Sequence, residues 1–404
     1  MTATTRSDPA PLDATERLPV LDILRGVALL GIFVMNMPSF SASLFALHED
    51  GWTGFLRDLL VAGKFNALLA LLFGIGFALQ MRRLDAGPPG HAVRVYLRRL
   101  LVLMMLGLVH AAVFWSGDVL FVYAVLGLAL LGVRRLPDAA LLGLVGAGVV
   151  FPVFAVYLRA TLMSMQTEGL AMLDYQALEA SNNLAYGAGS FADTVRENQR
   201  MLAWAWGTPL GLWSMATFFV QMGTPLLLGY FIGRRGWVSR LDELGAPMRR
   251  WRAVALVIGL SASLAFLLAG VDSQEPTPAS ALLNGLQTLG RLALMLCYAL
   301  SVALLAQESC WREALAPLAA VGRMPLTNYL LQTALATSIF YGWGLGWWGR
   351  LGTGAQIALA LALFAGLQVP LSMLWLRLFE RGPLEQLWRL TTYGRRRARP
   401  QPAR

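Results

Sequence analysis

The feature that most constrains the fold of this chain is a series of apolar runs, each about twenty residues long, that recurs between residues 18 and 378. A helix of about twenty residues is long enough to cross the hydrocarbon layer of a bilayer. Within that layer every backbone polar group needs a partner in the protein, and an α-helix supplies those partners within one segment. The runs therefore predict an all-α, polytopic membrane helix bundle.

The composition supports this class, because 57% of the residues are hydrophobic and 14% are charged, whereas soluble domains average about 45–50% and about 25%. We predict ten spans, near residues 18–38, 56–81, 95–114, 118–133, 139–160, 212–233, 252–270, 281–306, 315–341 and 353–378. The predicted organisation is a cytoplasmic tail at 1–17, a ten-span transmembrane domain at 18–394 and a basic, disordered tail at 395–404.

Basic residues are distributed unequally between the predicted loops. With the N-terminus inside, 23 of them fall on the inner side and six on the outer side. The positive-inside rule then predicts that both termini are cytoplasmic, in an inner (plasma) membrane of the bacterial type. The net charge is +10, and the basic clusters that produce it lie next to the predicted spans. The expected partners are therefore membrane lipids and not nucleic acid. Residues 161–211 become the one long outer loop, with short helices over the outer face.

The sequence does not indicate metal or redox chemistry. Cys297 and Cys310 are the only cysteines, and neither a metal-ligand cluster nor a glycine-rich phosphate loop occurs. We therefore expect no metal and no permanently bound cofactor. Asp58 and Lys64 on the second span are six residues apart, so they do not share a helix face and are predicted to lie at the interface.

The first span carries charges that a simple anchor would not need. Asp22 and Arg25 are three residues apart, so a helix places them on one face where they can pair. Charges within a span commonly mark a functional site, although Arg25 is only about 10 Å into the helix and could extend to the interface. Asn36 adds a polar group near the far end. A site and an interfacial pair both remain open interpretations.

The chain has three histidines, which limits the choice of a general base. His91 falls in a predicted inner loop, whereas His110 lies about 16 Å beyond Arg99 along one helix. An imidazole at that depth needs a partner. Asp118 follows a tight turn and begins the next span, so it could orient His110 and hold its tautomer. The alternative is a structural polar pair that joins two helices.

Arg291 is predicted to lie about 13 Å deep in its span. With Asn284 and Thr288 it forms a polar stripe at helical spacing. Either the stripe lines a cavity in which Arg291 binds a carboxylate or phosphate oxygen, or Arg291 is in a buried ion pair with Asp118 or Asp22. Asn328 and Gln332, four residues apart, are candidate substrate ligands, although amides at this spacing more often join helices.

Five parts of the sequence resemble the motifs of one protein family. They are Arg17, Asp22, Arg25 and Gly26 at their spacing; Leu71–Phe77; Arg98 and Arg99 with His110, Gly117 and Asp118; Gly322–Gln332; and Gly382–Arg389. They resemble the YeiB-type membrane proteins across almost the whole chain. The opening motif is similar to that of the transmembrane acyltransferases, including acyltransferase family 3 and the heparan-α-glucosaminide N-acetyltransferases. The resemblance implies transfer of an acyl group from cytoplasmic acyl-CoA to an extracytoplasmic sugar, lipid or small metabolite.

The histidine of the family 3 pattern is missing, because Asn36 occupies its position and an amide cannot act as a base. The glucosaminide branch is similar in having Asn there, and implies a catalytic His before a Trp in the first outer loop, which His48 and Trp52 roughly match. We predict His110 as the base, oriented by Asp118, with His48 as the second choice. The candidate donor- or substrate-binding residues are Asp22, Arg25, Asn36, Arg291, Asn328 and Gln332.

Two other classes of function fit the same residues. In a transporter or flippase, Asp22, Arg25, Asp118 and Arg291 would line a path and no bond would break, although no convincing internal repeat supports inverted halves. A structural or lipid-binding protein without turnover is the third class. Each of these classes allows a homo-oligomer.

Overall fold

The computed structural model describes residues 18–43, 51–86, 88, 90–164, 175–270, 272 and 275–393. Within these ranges the chain is helical and contains no strand. In chain order the helices are α1 (Pro19–Ser41), α2 (Gly51–Leu60), α3 (Lys64–Leu84), α4 (His91–Val113), α5 (Leu120–Val133), α6 (Asp138–Ser164), α7 (Tyr175–Asn182), α8 (Phe191–Gly207), α9 (Pro209–Arg234), α10 (Gly245–Leu268), α11 (Pro278–Leu305), α12 (Ser309–Ala314), α13 (Ala316–Gly322), α14 (Pro325–Phe340), α15 (Thr353–Leu363), α16 (Val369–Leu378) and α17 (Pro383–Tyr393). The predicted tails at 1–17 and 395–404 lie outside the described residues.

The prediction of a helical membrane protein is confirmed, since seven helical segments are long and apolar enough to cross a bilayer. They are Pro19–Ser41, Gly51–Leu84, Asp138–Leu162, Pro209–Arg234, Trp237–Leu268, Pro278–Leu305 and Thr353–Leu378. Each of the ten predicted spans overlaps a helix, but α5 has only 14 residues and α14 only 16. The count of ten therefore stays a prediction. The segment at 161–211 contains α7 and α8, as expected.

Helix α1 packs against α3, α13, α14 and α15 and so lies at the centre of the bundle. Pro19 occupies its first turn, where a missing N–H costs nothing, and Leu29 and Phe33 are fully buried. Its contact with α13 depends on two glycines. A Cβ on Gly26 would overlap the Leu318 carbonyl, and one on Gly322 would overlap the backbone of α1. Small residues allow such close approach of membrane helices.

The second resemblance motif, Leu71–Phe77, serves helix packing between α3 and α9. A Cβ on Gly74 would overlap the carbonyl oxygen of Leu226, and one on Gly229 would overlap that of Leu71. Gly76 has open space around its Cβ position. Gly74 therefore sets the distance between these helices, whereas Gly76 does not.

The two C-terminal motifs join in one contact between α14 and α17. Glu385 of α17 accepts hydrogen bonds from the backbone N–H groups of Leu326 (2.7 Å) and Thr327 (3.0 Å) and from the Thr327 hydroxyl (2.6 Å). A carboxylate at this position satisfies free amides of the α14 N-terminus and complements its dipole. Trp388 then donates to the Arg99 carbonyl at 2.9 Å, and the Arg99 guanidinium stacks 4.2 Å from the indole centre. Helix α17 thus connects α14 with α4.

Candidate functional site

His110 and Asp118 form a buried hydrogen-bonded pair. Nδ1 of His110 lies 2.8 Å from Oδ1 of Asp118, and their side chains are 3% and 1% exposed. The other Asp118 oxygen accepts the backbone N–H of Phe121 at 2.9 Å, which fixes the carboxylate at the start of α5. Only a short turn separates α4 from α5, and this brings the two residues together as the sequence predicts.

Two residues of α14 complete this site and were not predicted. The Thr333 hydroxyl lies 3.0 Å from Nε2 of His110 and is buried. Tyr329 places its ring 5.5 Å from the imidazole and accepts the backbone N–H of Val119 at 3.3 Å. With Thr337 they follow i, i+4, i+8 spacing, which puts polar groups along one face of α14. That stripe is the sequence signal that could have identified them.

The hydrogen bonds assign a tautomer to His110. A carboxylate can only accept, so Nδ1 carries the proton and donates it to Asp118. When the ring is neutral, Nε2 is then an acceptor and the Thr333 hydroxyl donates to it, whereas in the imidazolium both nitrogens donate and the hydroxyl accepts. In general-base catalysis on an alcohol, a carboxylate orients an imidazole and the hydroxyl group donates to that imidazole. The contacts of His110 have this arrangement. The same contacts also join α4, α5 and α14, so the structural interpretation is compatible with them.

Asp22 and Arg25 pair within the first two turns of α1, as expected. Nη1 of Arg25 donates to Oδ1 of Asp22 at 2.6 Å, and their side chains are 29% and 14% exposed. Asn36 is half-buried and lies 14 residues beyond Asp22, about 21 Å along the helix. Asp22 and Arg25 are therefore near the N-terminus of α1, and Asn36 is in its C-terminal half.

The alternative base, His48, lies outside the described residues. Its predicted companion Trp52, on α2, is highly exposed.

Arg291 is buried near the middle of α11 and donates from Nη1 to Oε1 of Gln221 on α9 at 3.0 Å. Among the described residues it lies in no ion pair. Asp22 pairs with Arg25 and Asp118 with His110, so the expected alternative of an Arg291 ion pair with either carboxylate is not what the structure contains. Its stripe partner Asn284 donates to a carbonyl of its own helix.

Asn328 and Gln332 hydrogen-bond within the bundle. Asn328 donates to Ser372 of α16 at 3.0 Å, and Gln332 donates to the Leu29 carbonyl of α1 and to Gln368, both at 3.1 Å. Gln368 in turn donates to the Asn328 carbonyl at 3.0 Å. These bonds join three helices. A role of the two amides in substrate binding stays a prediction.

Two relatives match this chain over more than nine-tenths of its length, and a family model matches its C-terminal part. A family model described as "Protein of unknown function (DUF418)" matches residues 232–395, which include both C-terminal motifs. The uncharacterized protein YxaH of Bacillus subtilis (strain 168) is 30% identical over 95% of this chain and 96% of its own length. The uncharacterized protein YeiB of Escherichia coli (strain K12) is 31% identical over 93% of this chain and 96% of its own length. The chain therefore belongs to the DUF418 family, together with its YxaH- and YeiB-like members.

Proposed function

We propose that this protein is a membrane acyltransferase that moves an acyl group from cytoplasmic acyl-CoA to an extracytoplasmic hydroxyl or amine. The observation that supports the proposal is the buried chain of hydrogen bonds from Asp118 through His110 to the Thr333 hydroxyl. Asp118 holds the imidazole in one tautomer, and Nε2 faces a hydroxyl group. The resemblance of the opening motif to that of transmembrane acyltransferases supports the same reaction class.

In the proposed reaction the acceptor takes the place of the Thr333 hydroxyl at Nε2. His110 removes the acceptor proton while the acceptor oxygen or nitrogen attacks the thioester carbonyl. The bond from this carbonyl carbon to the CoA sulfur then breaks, and the imidazolium returns its proton to the leaving thiolate. Asp118 stabilises the imidazolium between these steps. A base of this kind typically contributes about 10²–10⁴-fold in rate.

The proposed topology has ten spans with both termini in the cytoplasm, in a plasma membrane. His110 lies 19 residues from the start of α4, or about 28 Å, and the arginines of that helix are at its other end. Under this topology the His110–Asp118 pair lies in the outer half of the membrane, where an extracytoplasmic acceptor arrives. Asp22 and Arg25 lie at the cytoplasmic end of α1, where they would contact the CoA donor.

The experiment is to reconstitute the purified protein in liposomes with acetyl-CoA and to measure thioester consumption and acyl product. We expect His110→Gln to reduce transfer by about 10²–10⁴-fold, whereas His91→Gln, on the same helix but away from the pair, should retain it. Both variants should insert and purify like the parent protein. Intact protein with full transfer after His110→Gln would refute the assignment of the base.

A transporter or flippase is the second candidate, favoured by one observation. Arg291 is a buried cation without an ion pair among the described residues, as expected of a group that meets a moving anion. Substrate flux across liposomes without thioester consumption would select this function and exclude acyl transfer.

A further inference from the structure

Lys64 is the only lysine in a chain with 32 arginines, and its side chain is buried at 5% exposure. It is the first residue of α3, directly after the break that separates α3 from α2. Gly63 forms this break with a φ of +76°, a conformation that favours glycine. The ammonium donates to the backbone carbonyl of Asp58. The side chain of Lys64 is therefore buried within the protein, and its interfacial position stays a prediction.

Arg291 lies against the same break. A Cβ on Gly63 would be 2.6 Å from Cδ of Arg291 and 3.6 Å from its Nη1. The guanidinium is thus next to the N-terminus of α3. Nη1 donates to Gln221, but Nε is buried without a hydrogen-bond partner. An unpaired donor of this kind is rare in a folded interior and needs an explanation.

The charges at this position do not balance. Lys64 and Arg291 are close enough for their positive charges to repel each other, and the carboxylate that acts on Lys64 is that of Asp58. Asp58 already accepts from Nε of Arg57 at 3.0 Å. Lys64 therefore shares its carboxylate with Arg57, Arg291 has no ion pair among the described residues, and the positive end of the α3 dipole adds to the surplus. Buried charges are normally paired, so an anion is expected here.

We propose that Lys64, Arg291 and Gln221, together with the N-terminus of α3, form a binding site for a phosphate group. A phosphate offers several acceptor oxygens, and Arg, Lys and a helix N-terminus are the donors that most often bind it. The free Nε of Arg291 supplies the first hydrogen bond. The phosphate belongs either to an anionic phospholipid or to a soluble phosphate. This site does not depend on acyl transfer, because His110 and Asp118 take no part in it.

The test measures the melting temperature, Tm, of the delipidated, full-length protein in detergent. The probes are inorganic phosphate and mixed micelles with phosphatidylglycerol, and phosphatidylcholine micelles serve as the reference. We expect at least one probe to raise the Tm of the parent protein in a saturable manner. A response to phosphatidylglycerol alone identifies a lipid as the source, and a response to inorganic phosphate identifies a soluble one.

Lys64→Gln and Arg291→Gln should weaken binding of the probe by about 10–100-fold, because one charged hydrogen bond has about this value. A correspondingly higher probe concentration is then needed for the same rise in Tm. Arg350→Gln, which removes an exposed positive charge, is the matched control and should keep the response of the parent protein. Each of the first two variants also removes a surplus buried charge. In the absence of a probe, their Tm should therefore be equal to or higher than that of the parent protein. A parent protein without response, or variants that respond like Arg350→Gln, would overturn the proposal.

Gln221→Glu keeps the test decisive if either of those variants fails to fold. The substitution puts a carboxylate next to Arg291 at almost unchanged side-chain volume, so the protein would carry its own anion. We expect a stable protein that no longer responds to phosphate or phosphatidylglycerol. An undiminished response in Gln221→Glu would contradict the proposed site.

Discussion

Asp118→Asn tests the proposed chemistry most directly, because the structure fixes how the new amide must point. One Asp118 oxygen accepts the backbone N–H of Phe121 at 2.9 Å, and the other accepts from His110 at 2.8 Å. An asparagine keeps the first bond only with its oxygen, which turns its NH₂ group toward Nδ1. The imidazole then has to accept at Nδ1 and carry its proton on Nε2. It can no longer remove a proton from an acceptor.

The expected effects on rate and stability are therefore of very different size. Transfer should fall by about 10²–10⁴-fold, as if the base were absent. The variant keeps both hydrogen bonds, and it loses only the difference between a charged and a neutral one, about 1 kcal/mol. The Tm should consequently change by only a few degrees.

The assay compares single-turnover acyl transfer and thermal unfolding of Asp118→Asn, His110→Gln and the parent protein in the same liposomes. Transfer by Asp118→Asn within a few-fold of the parent would show that Asp118 does not set the tautomer. A loss of folded protein equal to the loss of transfer in both variants would instead identify the pair as a structural link between α4 and α5.

Three further predictions concern the scaffold and the topology. Glu385→Gln should destabilise the protein by about 1–3 kcal/mol in thermal unfolding, because three charged or helix-capping hydrogen bonds weaken at the α14 N-terminus; an unchanged Tm would contradict this role. Gly322→Ala should greatly reduce the yield of folded protein, since its Cβ overlaps the α1 backbone, whereas Gly76→Ala has open space and should be tolerated. On intact cells, an impermeant thiol reagent should label a cysteine at exposed Arg196 and spare exposed Cys310; the reverse pattern would refute the proposed orientation.

The sequence was sufficient for features that depend on local spacing. Apolar runs identified the helices, and the i, i+3 spacing of Asp22 and Arg25 identified their pair. His110 and Asp118 are eight residues apart across one turn, so their contact also follows from local order. In each case the partners lie in the same helix or in consecutive ones.

Contacts between distant spans could not be predicted in this way. Thr333 is 223 residues from His110, and nothing in the sequence states that α14 faces α4. For Arg291 the sequence left open a cavity that binds an anion or a buried ion pair with Asp118 or Asp22, and only the arrangement of the helices shows that Asp22 pairs with Arg25 and Asp118 with His110. The break at Gly63 directs Lys64 inward, an effect that apolar periodicity does not detect. Tertiary arrangement decides these three positions.

The contact between Glu385 and α14 has a consequence for the biosynthesis of the protein. Helix α14 carries Thr333 and Tyr329, yet the group that satisfies its first amides is made about 60 residues later in the chain. While the ribosome is still synthesising α15 and α16, the N-terminus of α14 is without this cap. A chain that ends before residue 385 therefore lacks the acceptor for the Leu326 and Thr327 amides, at the N-terminus of the helix that carries Thr333.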